Sequence, residues 1–237
     1  MNHAESLRLQ QISELSLYST GVMATAIEHC HQVLARYLRC GPVLEMGPAE
    51  GVMTERLFRD VGDLTVVEGS GLFCEQLRAR YPTVDVHHAL FEEFVPCRRF
   101  ETIVMGHVLE HVADPAVMLR RAADWLVPGG RVFCAVPNAR SLHRQAAVCM
   151  GLLPVEDALN ALDLHHGHRR VFNPESLRAA FTQAGLKVEV FGGYWLKPVS
   201  NGQLEQAWTQ PMLDAFMKLG ERYPDIAAEI YVVATAA

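Results

Sequence analysis

This sequence has little positive charge to offer a polyanion. Its 21 Lys and Arg are outnumbered by 27 Asp and Glu, for a net charge of −6, and no stretch gathers basic residues into a block. A nucleic-acid partner, which would call for a basic face, is therefore not expected. Long hydrophobic runs are missing too. Stretches such as 132–136 fall far short of the roughly 20 apolar residues that cross a bilayer, so no membrane partner is expected. The start, M-N-H-A-E-S-L-R, has neither the basic opening nor the apolar core of an export signal. Cysteine is sparse: six residues, at 30, 40, 74, 97, 134 and 149, with no C-x-x-C pair. That usage suits reduced, buried thiols and a cytoplasmic location. No internal repeat or low-complexity linker divides the chain.

What is present is ordinary globular material, half hydrophobic and a fifth charged. Leu7, Leu9, Ile12 and Leu15, then Met23, Ile27, Val33, Leu34 and Leu38, recur at near-helical spacing around a Ser19-Thr20-Gly21 break. They predict two helices and an N-terminal helical cap over 1–40. From 41 onward short apolar strands alternate with amphipathic helices: 42–46 then 54–61, 64–68 then 73–81, 84–88, 102–105 then 116–126, and 131–136. Such alternation predicts an α/β fold with a doubly wound, mostly parallel sheet. Ligands in such sheets sit beyond the carboxyl ends of the strands. After Pro137 the alternation pauses, and 141–163 reads as helical with no strand partner. Asn173-Pro174-Glu175 opens another helix, which ends near Gly185. Strands over 187–191 and 229–235 close the chain, around a helix near 212–222. The domain thus spans 41–237, with a helical lid inserted at about 139–172 and a further insertion at about 194–227. Lids exclude water and complete active sites.

Between the first strand and its helix the chain reads V-L-E-M-G-P-A-E-G, residues 43–51. Gly47, Ala49 and Gly51 are small enough for the backbone to approach a ligand, and the helix N-terminus offers unpaired N–H groups. The phosphate-binding string G-x-G-x-x-G is absent. Here it is G-x-A-x-G, with Glu45 two residues before the first glycine. A carboxylate in the loop mouth is awkward for a pyrophosphate and suits the ammonium group of a methionine moiety. Glu68 closes the next strand, 21 residues after Gly47. A carboxylate there accepts hydrogen bonds from two ribose hydroxyls, a feature that nicotinamide and S-adenosylmethionine cofactors share.

Four segments, V-L-E-M-G-P-A-E-G, L-T-V-V-E-G-S, F-E-T-I-V-M-G-H-V-L-E-H-V-A-D-P and W-L-V-P-G-G-R-V-F-C-A-V-P-N, resemble the class I S-adenosylmethionine-dependent methyltransferases. The resemblance covers about 40–137 closely and 165–195 more loosely. The last two segments look like the bacterial group of ubiquinone-biosynthesis and sugar O-methyltransferases. It implies a seven-stranded Rossmann-like sheet and S-adenosylmethionine as cofactor. It also implies methyl transfer to an oxygen or nitrogen of a small polar acceptor, such as a sugar, phenol or carboxylate-bearing metabolite. By matching position, Glu45, Gly47, Pro48, Ala49 and Gly51 would shape the methionine and ribose pocket, and Glu68 would bind the ribose hydroxyls. Gly69 and Ser70 would lie near the adenine, Leu90 and Phe91 would line its ring, and Gly106 and His107 would sit near the methyl donor. Two departures stand out. Ala49 replaces a usual middle glycine, and Leu90 stands where an acidic or polar residue often reads the adenine amino group.

His107, Glu110 and His111 spell H-x-x-E-H. On a helix, positions i and i+4 share a face, and one class of zinc peptidases uses this string. The segment follows a strand, however, and leads into A-D-P. Ubiquinone-type methyltransferases carry E-x-x-E-H, which can hold a divalent cation; His107 in place of the first acid weakens that case. His165, His166 and His168, neighbours on one short loop, would make a poor zinc tetrahedron. No metal is expected, and Glu110 and His111 are read as orienting loops. An oxygen acceptor benefits from a general base, which histidine supplies near neutral pH, whereas a neutral amine needs none. His107, His165 and His168 are the candidate catalytic residues. Asn138, Arg140, His143, Arg169, Tyr194 and Lys197 are candidates to bind the acceptor, with arginine suited to a carboxylate or phosphate. A solvated polar loop is the alternative for each. Tyr18 is a candidate to close over the cofactor. The rival functions are a nicotinamide-dependent oxidoreductase and a non-catalytic S-adenosylmethionine-binding module.

Overall fold

Unbroken apolar runs become strands covered on both faces. All four residues of β1 (Val43–Met46) and all five of β2 (Leu64–Glu68) are buried, as expected where helices lie on both sides of a parallel sheet. The edge strand β3 (Asp85–His88) is only partly buried. A computed structural model describes residues 18–236. The sheet is completed by β4 (Phe100–Gly106), β5 (Leu126–Pro137), β6 (Leu186–Tyr194) and β7 (Glu229–Ala236), in the order β3-β2-β1-β4-β5-β7-β6. Pairings from β3 through β5 are parallel, and β7 runs antiparallel to both β5 and β6. The strand order reverses between β1 and β4, which opens a crevice at their carboxyl ends.

Nine helices flank the sheet among the described residues: α1 (Gly21–Leu34), α2 (Val52–Asp60), α3 (Gly71–Arg80), α4 (Pro115–Asp124), α5 (Leu142–Cys149), α6 (Ala161–His165), α7 (Pro174–Gln183), α8 (Asn201–Ala207) and α9 (Gln210–Gly220). One core joins Leu44, Ile103 and Met105 to Leu119 of α4 and Phe181 of α7. The other joins Val66 and Phe133 to Val33 of α1, Leu57 of α2 and Trp195. Local chemistry sets several ends. Asp114 accepts from Val117 N at 3.0 Å and Pro115 follows it, which starts α4. Asn173 and Ser176 form a capping box on α7, and Gly185 beyond its end takes φ 75°.

The structure departs from the expected boundaries where tertiary contacts intervene. The stretch 141–163 is not one helix. Gly151 at φ 72° follows α5, and a loop leads to α6. Arg144 holds that loop: Nε donates to Glu156 O at 2.7 Å, and the guanidinium also reaches Ala158 O and, at 3.1 Å, Asp163. A short helix, α8, precedes α9, started by a Ser200–Gln203 capping box. The expected helix through Leu7 and Leu15 lies outside the described residues. All six cysteines are free, but only Cys30, Cys74 and Cys134 are buried; Cys40, Cys97 and Cys149 are exposed, a correction to the buried reading. No helix among the described residues is long and apolar enough to cross a membrane.

Three non-glycine residues, Ala49, His107 and Trp195, take a positive φ. Ala49 sits at φ 49°, in the left-handed region, which costs an L-residue about 1–2 kcal/mol. Ala49→Gly is expected to stabilise the protein by roughly 0.5–1 kcal/mol in urea melts, the added chain entropy of glycine offsetting part of the relief. A loss of stability would show that the methyl group packs favourably.

Candidate active site

The carboxyl ends of β1, β2 and β4 border a cleft of about 1140 Å³, its open mouth included. That is ample for a nucleoside-sized ligand. At its edge Gly47, Ala49 and Gly51 take φ 64°, 49° and 83° and turn β1 into α2. A Cβ on Gly47 would lie 3.1 Å from Phe91 and 3.3 Å from Val108 side-chain atoms, so the turn needs glycine for both conformation and space. Gly51 gives α2 no side-chain cap, which leaves its first N–H groups to a ligand.

Two buried carboxylates define the floor. Glu68, at the end of β2, accepts from Ser70 N at 2.7 Å and from Ala49 N at 3.2 Å. It ties both loops together and retains lone pairs for two further donors. Burial raises its pKa, opposed by those backbone donors. Glu45 is 2% exposed, and its Oε2 has no partner. Burial pushes its carboxyl up to about 8, Thr54 beside it acting against the shift and Glu68 adding to it.

The end of β4 supplies the third wall. His107 takes φ 59°, a strained conformation typical of sites whose surroundings enforce it. Its Nδ1 lies 3.4 Å from Glu110 Oε1, and its Nε2 lies 3.8 Å from Glu229 Oε2. Burial alone would lower its pKa, but Glu229 and Glu110 raise it to about 9. His107 is therefore an imidazolium at neutral pH, a donor and a cation rather than a ready base. Glu110, in turn, overcomes its own burial through His107, His111 and His168 and is held at about 2.

The insertion contributes histidines, and of the neighbouring candidates His165, His166 and His168 it is His166 that reaches the cleft. His166 lines the cleft and stacks on Tyr18 with ring centroids 4.9 Å apart. Burial, with His168 next to it, depresses its pKa to about 4. His165 is exposed and outside the cleft, so the structure does not bring it to the site. His168 packs behind, its Nδ1 3.3 Å from Asp163, edge-on to His111 at 4.8 Å. Burial holds His111 at about 4, and its Nδ1 faces Gly167 O at 3.3 Å. No metal site was expected, yet Glu110, His111 and His168 each place one ligand atom within 4.8 Å of the others. Two nitrogens and one oxygen would suit a borderline cation such as zinc better than magnesium.

Of the residues expected at the cofactor, Glu45, Gly47, Pro48, Ala49, Glu68, Ser70, Phe91, Gly106 and His107 line the cleft, and Gly51, Gly69 and Leu90 do not. Leu90 O instead accepts from Glu93 N and Phe94 N, each at 3.0 Å. The expected acceptor residues do not converge. Arg140 pairs with Glu175 at 3.0 and 2.7 Å. Arg169 Nε donates to His111 O at 2.7 Å. Asn138 fastens the strand edge to Asp225 O and Ala227 O at 3.0 and 2.8 Å. These three side chains are engaged in structural hydrogen bonds. His143, Tyr194 and Lys197 lie outside the cleft wall. Lys197 is 9% exposed, over the Trp195 ring at 4.7 Å. Sequence reasoning missed Glu50, Cys30 and Glu229. Glu50 lies within the 43–51 motif itself, whereas no motif marks Cys30 or Glu229; Glu229 faces His107 only because antiparallel β7 brings its first residue to the carboxyl ends of the parallel strands, opposite Pro137 and Tyr194.

A sheet of this order with a carboxylate-floored cleft at its reversal defines a Rossmann-like cofactor-binding enzyme. Residues 23–189 match the family described as "Methyltransferase domain", and the chain belongs to that family. It is similar to the ubiquinone biosynthesis O-methyltransferase of Rhizobium leguminosarum bv. trifolii (strain WSM2304), 27% identical over 70% of this chain and 67% of that protein. The CcbJ methyltransferase from Streptomyces caelestis shares the fold at a TM-score of 0.67 and 16% identity, over 98% of this chain and 99% of that one. So does the N-methyltransferase NodS from Bradyrhizobium japonicum WM9 in complex with S-adenosyl-L-homocysteine, at 0.54 and 14%, over 89% and 84%. The protein is an S-adenosylmethionine-dependent methyltransferase. The oxidoreductase and non-catalytic alternatives are not favoured.

Proposed function

We propose that this enzyme moves the methyl group of S-adenosylmethionine to an oxygen or nitrogen of a small polar metabolite, at the cleft between β1 and β4. The observation that carries the reading is the pair of buried carboxylates, Glu45 and Glu68, at the strand reversal. Glu68 would take the two ribose hydroxyls and Glu45 the methionine ammonium, directly or through water. Gly47, Pro48, Ala49 and Gly51 would give the ligand a close backbone. Ser70 and Phe91 would flank the adenine, and Gly106 and His107 would face the sulfonium. The donor is already activated, so the protein mainly aligns the acceptor, a contribution of about 7–11 kcal/mol. The name of the Rhizobium relative favours oxygen as the acceptor atom and that of NodS favours nitrogen. We further propose that α1 and the insertion at 139–172 act as a lid, since Tyr18 and His166 meet at the cleft. Free cysteines fit a cytoplasmic location.

Calorimetric titration with S-adenosylmethionine tests the reading. Glu45 is mostly protonated near pH 7 and should ionise beside the incoming ammonium. Binding at pH 7 is then expected to release up to about one proton, and affinity should rise from pH 6 toward 8. Heats measured in buffers of different ionisation enthalpy report the proton directly. Identical heats would remove Glu45 from the ammonium role, and no binding at millimolar ligand would sink the cofactor site.

A further inference from the structure

We propose that the apolar outer face of the insertion, around Leu162 and Leu164 of α6, is a docking surface for the chain's own residues 1–17, which strap the insertion to α1. The inference stands apart from the reading of the cleft, since it needs neither cofactor nor acceptor.

Apolar exposure on this protein is concentrated in one place. Met150, Leu152, Val155, Leu162 and Leu164 are each more than half exposed. Elsewhere among the described residues, the only large apolar side chains so exposed are Val95 and Tyr223. Single exposed apolar residues are ordinary, but five within 15 residues mark an interaction surface. The stretch is not a loose loop. Buried Arg144 holds it from beneath, through Glu156 O at 2.7 Å and Asp163 at 3.1 Å. An Asn160–Asp163 capping box starts α6. With Asp163 turned inward, Leu162 and Leu164 on either side of it are left facing solvent.

The occupant is set by where the described chain starts. Its first residue, Tyr18, lays its ring against His166, with centroids 4.9 Å apart. His166 N donates to Leu162 O at 3.0 Å, so Leu162 lies one helical turn away on the same side of α6. Residues 1–17 therefore arrive at the edge of the apolar face. Their sequence offers a matching stripe: Leu9, Ile12 and Leu15 fall three apart, with Glu5, Arg8 and Glu14 at other positions. At helical rise such a segment reaches about 25 Å, enough to cross α6 and the loop before it. Covering exposed leucines with these aliphatic side chains removes apolar area from water on both partners, which drives the docking. Seated this way, the segment holds Tyr18 at the cleft, which its ring lines.

The test treats the full chain with dilute trypsin and follows cleavage after Arg8 by mass spectrometry. A seated segment must leave its surface before a protease can take it, so the rate reports how often it is free. Leu162→Glu and Leu164→Glu are each expected to speed that cut about tenfold or more. Val117→Glu, at a partly exposed position on α4, should leave it unchanged. Leu162→Ser and Leu164→Ser, which add no charge, read the same effect if a glutamate variant misfolds. Equal cutting of wild type and the α6 variants overturns the proposal. So does a dimer in light scattering that Leu162→Glu dissociates, which gives the face to a second copy. Flotation with phosphatidylcholine vesicles that Leu162→Glu abolishes also overturns it and gives the face to lipid.

Discussion

Glu68→Ala should raise the dissociation constant for S-adenosylmethionine by about 100-fold or more, close to 3 kcal/mol. The carboxylate has two duties that the substitution removes together. It would accept two ribose hydroxyls, each a charge-assisted bond of about 1.5–3 kcal/mol. It also accepts from Ser70 N and Ala49 N, at 2.7 and 3.2 Å, and so sets the spacing of the two loops that form the cleft. Losing it leaves those N–H groups without their acceptor, so a stability loss of about 1–3 kcal/mol should accompany the loss of affinity. Glu68→Gln separates the duties. The amide keeps the shape but turns an N–H toward one backbone N–H, so its affinity should fall between wild type and alanine. Calorimetry and urea melts on the same samples read both effects. An unchanged dissociation constant in Glu68→Ala would end the ribose assignment.

His107→Ala is expected to cut turnover on the order of 100-fold while cofactor affinity changes only a few-fold, because the side chain positions charge at the acceptor side. It should also cost about 3–5 kcal/mol of stability near pH 6, since Glu110 and Glu229 lose the cation between them and stay buried. The pH dependence has a definite sign. The folded pKa, about 9, exceeds the ordinary value of 6.5. The stabilisation is therefore complete below about pH 6.5 and is lost as pH rises through about 9. Wild type should weaken over that window, and the variant should lack that component. His107→Asn is a useful companion, because asparagine tolerates the φ 59° backbone better than alanine. Unchanged turnover in both variants would remove His107 from the site.

Much of the cofactor side was legible in the chain as written. The strand, the small-residue turn and the helix that follow one another over 43–60 form a local unit, and glycine at 47 and 51 announces the positive φ that the turn takes. Glu68 ends a five-residue apolar run, and a parallel neighbour of β1 must place that end beside the loop. The acceptor side was less legible. The same segment at 165–168 put the exposed His165 and the cleft-lining His166 side by side. Adjacent residues on a helical turn point about 100° apart, and composition alone cannot say which points inward. The partners of Arg140 and Arg169, Glu175 and the His111 carbonyl, lie 35 and 58 residues away along the chain, so no local pattern announces them.

The sequence by itself determined the α/β class, the cofactor loop and the carboxylates at 45 and 68, because each depends on neighbours within one strand–turn–helix unit. Only the tertiary structure decided which side chains from distant segments meet at the cleft. Tyr18 comes from the segment before α1, Glu50 from the loop, His107 from the turn after β4 and His166 from the insertion. Behind them Glu229, the first residue of β7, reaches His107 solely because that strand runs against its neighbours. Side-chain burial and ion pairing at such a junction depend on contacts between distant segments. For that reason the donor could be read from the chain, while the ion pairing around His107 emerged only once the chain was folded.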